Sequence, residues 1–225
     1  MQRIKNYGSF LQAYALKKIL QEMGHDVEFV DYHIGKPIIK EDNMKNDKIK
    51  KILNILKGKE TIKQKIQYLF YKKNFAKNYY KILELTKKPN YNPELDVLII
   101  GSDEVFNCIQ ANKNVGYSLE LFGKNNRARK TITYAASFGN TTIEKLKKYG
   151  KDKEISELLK KINAISVRDK NSGLIVEKLT NQKVEYNLDP VLIYDYMKKC
   201  ELIPNIDIKD CLLYTSPSPR DPKTS

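Results

Sequence analysis

The sequence contains no tryptophan, two histidines and only three cysteines. Cys108, Cys200 and Cys211 stand apart with no paired spacing. An odd, scattered set argues against a disulfide framework and against a zinc motif, and it suits a reducing compartment. His25 and His33 flank one predicted strand as surface residues, so no metal site is expected. No stretch approaches the roughly 18 consecutive apolar residues of a membrane span. The opening Met1-Gln2-Arg3-Ile4-Lys5 lacks the apolar core of a secretory signal. No GxGxxG is present, so a dinucleotide fingerprint is absent and no cofactor is expected. These absences predict a cytoplasmic protein.

What the chain has in excess is lysine. Its 41 Lys and Arg outnumber 27 acids, giving a net charge of +14 over 225 residues. Lys36 to Lys88 alone holds sixteen Lys, no Arg and five acids, or +11. Such a belt can face nucleic acid, an anionic membrane surface or an anionic substrate, or simply form a solvated helical face. Lysine without any nucleic-acid motif argues against nucleic acid. With 41% hydrophobic residues, the chain can bury a core.

Ser9 to Met23 reads as a helix, with Leu11, Ala15, Leu16, Ile19, Leu20 and Met23 on one stripe. Ser9 with Gln12 makes a capping-box pattern, and Gly24 stands where a helix stops. His25 to Tyr32 alternates as a strand. Residues 36–90 form a basic insertion of two or three amphipathic helices, with apolar stripes at Ile49 to Leu56 and Ile62 to Phe70. Aromatics such as Tyr68, Phe75, Tyr79 and Tyr80 are interleaved among its lysines. Beyond Pro93 come apolar runs that suit strands buried on both faces of a parallel sheet: Leu95 to Ile100, Thr131 to Phe138, Ala164 to Val167 and Val184 to Leu188. Helical stretches at Ile143 to Tyr149, Glu154 to Ile162 and Lys170 to Leu179 separate them. Alternating strands and helices predict an α/β fold with a doubly wound, Rossmann-like parallel sheet. A doubly wound domain opens with a buried strand, yet only five residues precede the Asn6-Tyr7-Gly8-Ser9 turn. Either Gln2 to Lys5 makes a very short strand or a first strand has been lost. Residues 1–210 are read as this domain. The tail Cys211 to Ser225 holds three of the eight prolines and no apolar period. It resembles a translated sequencing-adapter read-through, is set aside from the fold, and the native gene is expected to continue past Asp210.

In open α/β sheets, ligands bind beyond the carboxyl ends of the strands. Asn6, Tyr7, Gly8 and Ser9 open the first helix. Gly101, Ser102 and Asp103 follow the first buried run, Ser137 and Gly139 the second. Arg168 ends the third, and Asp189 with Pro190 follows the fourth. Taken singly, each has a plainer reading: glycines as turns, Ser102 and Asp103 as a cap, Arg168 paired on the surface with Asp169, Asp189-Pro190 as a turn.

Taken in order, these segments resemble the polysaccharide pyruvyl transferase family. Asn6 to Leu16 (NYGSFLQAYAL) is similar to its NYG-x-x-LQAYAL opening, and Gly24 to Tyr32 (GHDVEFVDY) to the strand that follows. DVLIIGSDEVFN from Asp96 resembles its GSDQVWN segment; TYAASFG from Thr133, ISVRD from Ile165 and LDP from Leu188 match in the same order. The family usually has Gln at the place of Glu104 and Trp at that of Phe106.

The resemblance implies the N-terminal half of a glycosyltransferase-B-like architecture, with the active site between two domains. A second domain would carry further donor-binding residues and a catalytic His. It implies transfer of pyruvate from phosphoenolpyruvate to a sugar or lipid-linked oligosaccharide acceptor, forming a ketal in bacterial cell-surface polysaccharide biosynthesis. The basic segment 36–90 would hold the enzyme near an anionic lipid-linked acceptor, peripherally at the inner face of the membrane. Phosphate and carboxylate call for Arg168 and the helix start at Gly8-Ser9. Asp103 and Asp189 are the candidate catalytic carboxylates, and Asn6, Tyr7, Gly101, Ser102, Ser137 and Gly139 complete the substrate-binding set. The rival readings are a sugar-nucleotide glycosyltransferase of similar fold, and an inactive fragment or basic binding module.

Overall fold

A computed structural model describes residues 2–39, 70 and 74–196. The helices expected around Ile49 to Leu56 and Ile62 to Leu69, and the tail from Cys211, lie outside the described residues. Met1–Tyr194 form one compact unit, distinct from Asp195–Ser225, and it carries everything below.

Helix α1 spans Tyr7–Glu22 and starts three residues earlier than a capping box at Ser9 predicts. Its cap is Asn6, whose side chain accepts from the Gly8 N–H at 2.8 Å. Both Asn and Ser are good caps, and here the earlier one takes the position. The C-terminus behaves as read. Gly24 has φ +90°, its N–H reaches Gln21 O, and His25 N–H reaches Leu20 O, the paired bonds of a Schellman stop. Helix α2 covers residues 74–82. Phe75 and Tyr79, read as aromatics among lysines, pack on α1 instead: the Phe10 and Tyr79 rings are 4.8 Å apart and those of Tyr7 and Phe75 5.5 Å. Lys17 is buried between these helices, where its ammonium donates to Leu83 O and pairs with Glu84.

Strands β1 (Glu94–Gly101) and β2 (Arg127–Tyr134) pair in parallel from Glu94↔Arg127 to Gly101↔Tyr134. After β2 come α3 (Ile143–Lys148) and α4 (Asp152–Leu159). Then β3 (Ser166–Val167), α5 (Lys170–Thr180), β4 (Glu185–Tyr186) and the short α6 (Pro190–Ile193) complete the order. β3 and β4 also pair in parallel, and isolated parallel bridges, Ile132↔Ala164 and Ala136↔Val167, join β2 to β3. The architecture is therefore α/β with small parallel sheets, and the described strands close no barrel.

Several strand expectations change. Among the described residues Val184 to Leu188 pairs only at Glu185–Tyr186, both exposed, so it is an edge and not a buried strand. β2 stops at Tyr134 rather than Phe138, because Ala135 adopts φ +47°, outside strand geometry. The alternating stretch His25 to Tyr32 makes only one bridge, Asp31↔Tyr91, since no ladder partner lies beside it among the described residues. β1 is not buried on both faces: Val97 is 43% exposed. Among the described residues only β2 pairs with it, and a cleft of about 1100 Å³ runs along it, lined by α1, residues 25–33, β1 and residues of β2. Gln2 to Lys5 form turns, not the short strand offered as one alternative. The side chains of Gln2 and Arg3 reach Asp31, which takes Arg3 Nε at 2.6 Å and Nη2 at 2.8 Å, and Gln2 Nε2 at 3.0 Å.

The core lies beside β2 and β3. Phe106, Phe122 and Phe138 pack ring to ring, with Leu146, Ile155, Leu159, Ile175 and Val176 completing the cluster. The hydrophobic positions of α4 and α5 face each other there, which holds β3 and the loop behind it in place.

Candidate active site

Some of the residues that follow the strands lie close together, and others do not. At the end of β1, a Cβ on Gly101 would lie 1.9 Å from Tyr134 O, so only glycine permits this close approach of the two strand ends. Ser102 follows, buried, and then Asp103, half-buried. Asp103 Oδ1 accepts from the Glu104 N–H at 2.8 Å, and Oδ2 from the Ser9 hydroxyl at 3.3 Å. The loop is fixed from behind. Phe106 N–H donates to Ser137 O at 3.0 Å, and Ser137 N–H to Asp103 O at 3.1 Å.

Arg168 leaves the end of β3 and does not pair with its neighbour Asp169. Asp169 caps α5 instead, accepting from the N–H and hydroxyl of Ser172, both at 2.8 Å. Arg168 Nη1 donates to Asp189 Oδ2 at 2.8 Å and to Ser102 O at 3.2 Å. Among the described residues its Nη2 and Nε have no hydrogen-bond partner, and the side chain is 26% exposed. Asp189 caps α6 through Oδ1 to the Val191 N–H at 3.1 Å. Its Oδ2 also accepts from Gln12 Nε2 on α1. Tyr134 donates its hydroxyl to Leu188 O at 3.1 Å; burial, then the charge of Asp189, pushes this phenol above its ordinary value. Burial, with a smaller contribution from Asp103, pushes the Tyr32 phenol up to about 12.

Ser9, Ser102, Asp103, Arg168 and Asp189 are thus brought together. The others stand differently. Asn6 is a helix cap. Tyr7 packs edge-on against Phe75 and Tyr79. Gly8 sits in the first turn of α1, where a Cβ would touch Asn6 Oδ1 at 3.3 Å. Ser137 is buried and accepts the Gly139 N–H through its hydroxyl. Gly139, at φ +55°, leaves room for Glu104 and Asn107, whose side chains bond each other at 2.8 Å. No group of three or more metal-type ligands occurs among the described residues.

Gln12 is the member that sequence reasoning did not single out. It stands three residues after Ser9 and therefore on the same face of α1, a spacing that a capping partner of Ser9 shares. The large cleft along β1 reaches Ser9, Gln12, Ser102 and Asp103, whereas Arg168 and Asp189 lie outside its lining. The site is therefore at the strand ends and not in the body of that cleft.

A family model described as polysaccharide pyruvyl transferase matches residues 6–216. No curated protein and no solved structure matches the chain.

Proposed function

Because the chain belongs to the polysaccharide pyruvyl transferase family, we propose that its strand-end site binds phosphoenolpyruvate and presents it to a sugar diol. The observation that carries this reading is the state of Arg168. One nitrogen is tied to Ser102 O and Asp189, while the Nε–Nη2 edge carries no partner among the described residues. A guanidinium held in this way offers two parallel N–H donors, the geometry that a carboxylate or phosphate takes.

In the reaction so implied, C2 of phosphoenolpyruvate gains bonds to two sugar oxygens and loses its bond to the phosphate oxygen. Of the two hydroxyl protons released, one ends on the methylene carbon, which becomes methyl, and the other on phosphate. Arg168 serves the anionic donor. Asp103 suits the hydroxyl: each of its oxygens accepts one bond in the structure, leaving lone pairs for a sugar O–H. Asp189 already accepts from three donors, and its part is to hold Arg168. Both carboxylates act as acceptors here, so neither is assigned as the acid that protonates the enol carbon. The same reading takes the parallel strands with intervening helices as the doubly wound, N-terminal half of a glycosyltransferase-B-like protein; a full-length structure lacking a second α/β domain would refute that part.

Arg168→Ala tests the donor site. Hydrogen bonds to charged groups contribute about 1.5–3 kcal/mol, so affinity for phosphoenolpyruvate should fall by about 10- to 100-fold in calorimetric titration. Unchanged affinity would remove Arg168 from the site.

A further inference from the structure

The hydrogen bonds at the strand ends close a ring through four parts of the chain. Ser9 on α1 donates to Asp103. Asp103 is joined through one peptide link to Ser102, whose carbonyl accepts from Arg168. Arg168 donates to Asp189, and Asp189 accepts from Gln12, back on α1. Ser9 and Gln12 are one helical turn apart on the same face, with Cβ atoms about 5–6 Å apart. One rigid helix therefore touches the carboxylates that follow β1 and β4, while the guanidinium that follows β3 lies between them.

The geometry points to Gln12 as a positioning residue: it fixes Asp189, and through Asp189 the direction in which Arg168 presents its unengaged edge. Resting on the donor reading above, this extends it to a residue that touches no substrate. The argument is one of degrees of freedom. Asp189 sits at the first turn of a four-residue helix, and its Oδ1 is committed to that helix's own N–H. Without Gln12, only the long, flexible Arg168 would restrain Oδ2. With Oδ1 still held by the Val191 N–H and Arg168 held otherwise only by its 3.2 Å bond to Ser102 O, the pair could then shift about Oδ2, and the free edge of Arg168 would spread over a wider range of orientations. Ordering it again on binding would cost rotamer entropy. With Gln12 in place that ordering is complete before the ligand arrives. The amide suits the task because it donates without adding charge, so it does not compete with Asp189 for the guanidinium as a carboxylate would.

The test is a double-mutant cycle on the full chain, read as the dissociation constant for phosphoenolpyruvate, with thermal melting alongside. Gln12→Met keeps the side chain's length and helix preference but removes the donor. Affinity should fall by about fivefold to tenfold in the wild-type background, and by less than twofold once Arg168→Ala is present, because there is then no guanidinium left to aim. A general structural role would cost the same factor in both backgrounds. Gln12→Glu keeps the shape and replaces the donor by a charged acceptor; it should weaken binding more than Gln12→Met does, and it serves as the second variant if Gln12→Met does not fold. Should Arg168→Ala itself leave affinity unchanged, the donor reading fails. Should Arg168→Ala abolish binding while Gln12→Met and Gln12→Glu leave it within twofold of wild type, the positioning inference alone is overturned.

Discussion

Removing the ring of Phe106 should be among the most damaging single changes to this fold. Phe106 has no exposed surface, stacks on Phe122 with centroids 4.7 Å apart and 12° between planes, and meets Phe138 at 5.1 Å. Phe106→Ala removes the middle ring of three from a site already closed on all sides. The neighbours cannot collapse freely, because Phe138 N–H is held by Ser172 and Phe122 belongs to the short helix Leu119–Phe122. Both the lost transfer energy and the residual cavity therefore count, which puts the cost at about 3–5 kcal/mol. Against a total stability of about 5–15 kcal/mol, that is a large fraction. Urea titration followed by far-UV circular dichroism should show a lowered midpoint with an unchanged slope. The effect should reach the site as well, since Phe106 N–H anchors the Asp103 loop to Ser137. A loss below about 1 kcal/mol would mean that the three rings are not the close-packed centre described here.

Two further outcomes follow from the same geometry. Burial pushes the Cys108 thiol and the Tyr32 phenol each up to about 12, and raises the Tyr117 phenol as well. Groups raised in the folded state give stability that is whole below their unfolded values, near 8.5 for a thiol and 10 for a phenol, and lost as pH climbs through the folded ones. Urea midpoints should thus hold up to about pH 8.5 and fall steadily from there toward pH 12; a flat profile across that window would refute the burial of these groups. Gly139→Ala adds a Cβ at 2.5 Å from Glu104 Oε2 and 2.7 Å from Asn107 Nδ2, at a φ of +55°. Strain of this kind costs about 1–3 kcal/mol, so the melting temperature should drop by several degrees, and an unchanged one would show that Glu104 and Asn107 move aside freely.

The parts legible in the sequence were those set by local pattern. Apolar runs closing on Gly101 and Arg168 became strands whose ends lie together, because a parallel arrangement puts all its carboxyl ends at one edge. Gly24 stopped α1 as a glycine after a helical stripe should. Where two local signals competed, the sequence could not decide. Asn6 and Ser9 are both good caps, and only the folded chain shows Asn6 capping while Ser9 is turned toward Asp103. Arg168-Asp169 invited a local ion pair, but Asp169 is consumed by the start of α5. The Arg168 partner, Asp189, lies 21 residues on, and the Gln12 contact to it spans 177 residues. No periodicity encodes such a contact. His25 to Tyr32 alternates correctly, yet alternation states only which side chains share a face, and a ladder needs a neighbour as well.

The two carboxylates that looked alike in the sequence are separated by what surrounds them. Both follow a strand and both precede helix-like turns, so residue type and position alone would give them one role. Asp189, with a side chain 15% exposed, is surrounded by a guanidinium, an amide and a backbone N–H. It can move only if the pair with Arg168 breaks. Asp103 has one hydroxyl and one backbone N–H as partners, and it faces the open cleft along β1. The Ser9 bond is the longer of its two, at 3.3 Å against 2.8 Å, and a sugar hydroxyl can displace or share it at small cost. On the reading proposed above, a site that holds an anionic donor still and takes a proton from a neutral acceptor would need one fixed carboxylate and one available one. The fold supplies this by placing a single helix, α1, between them, with Gln12 securing Asp189 and Ser9 touching Asp103 only lightly.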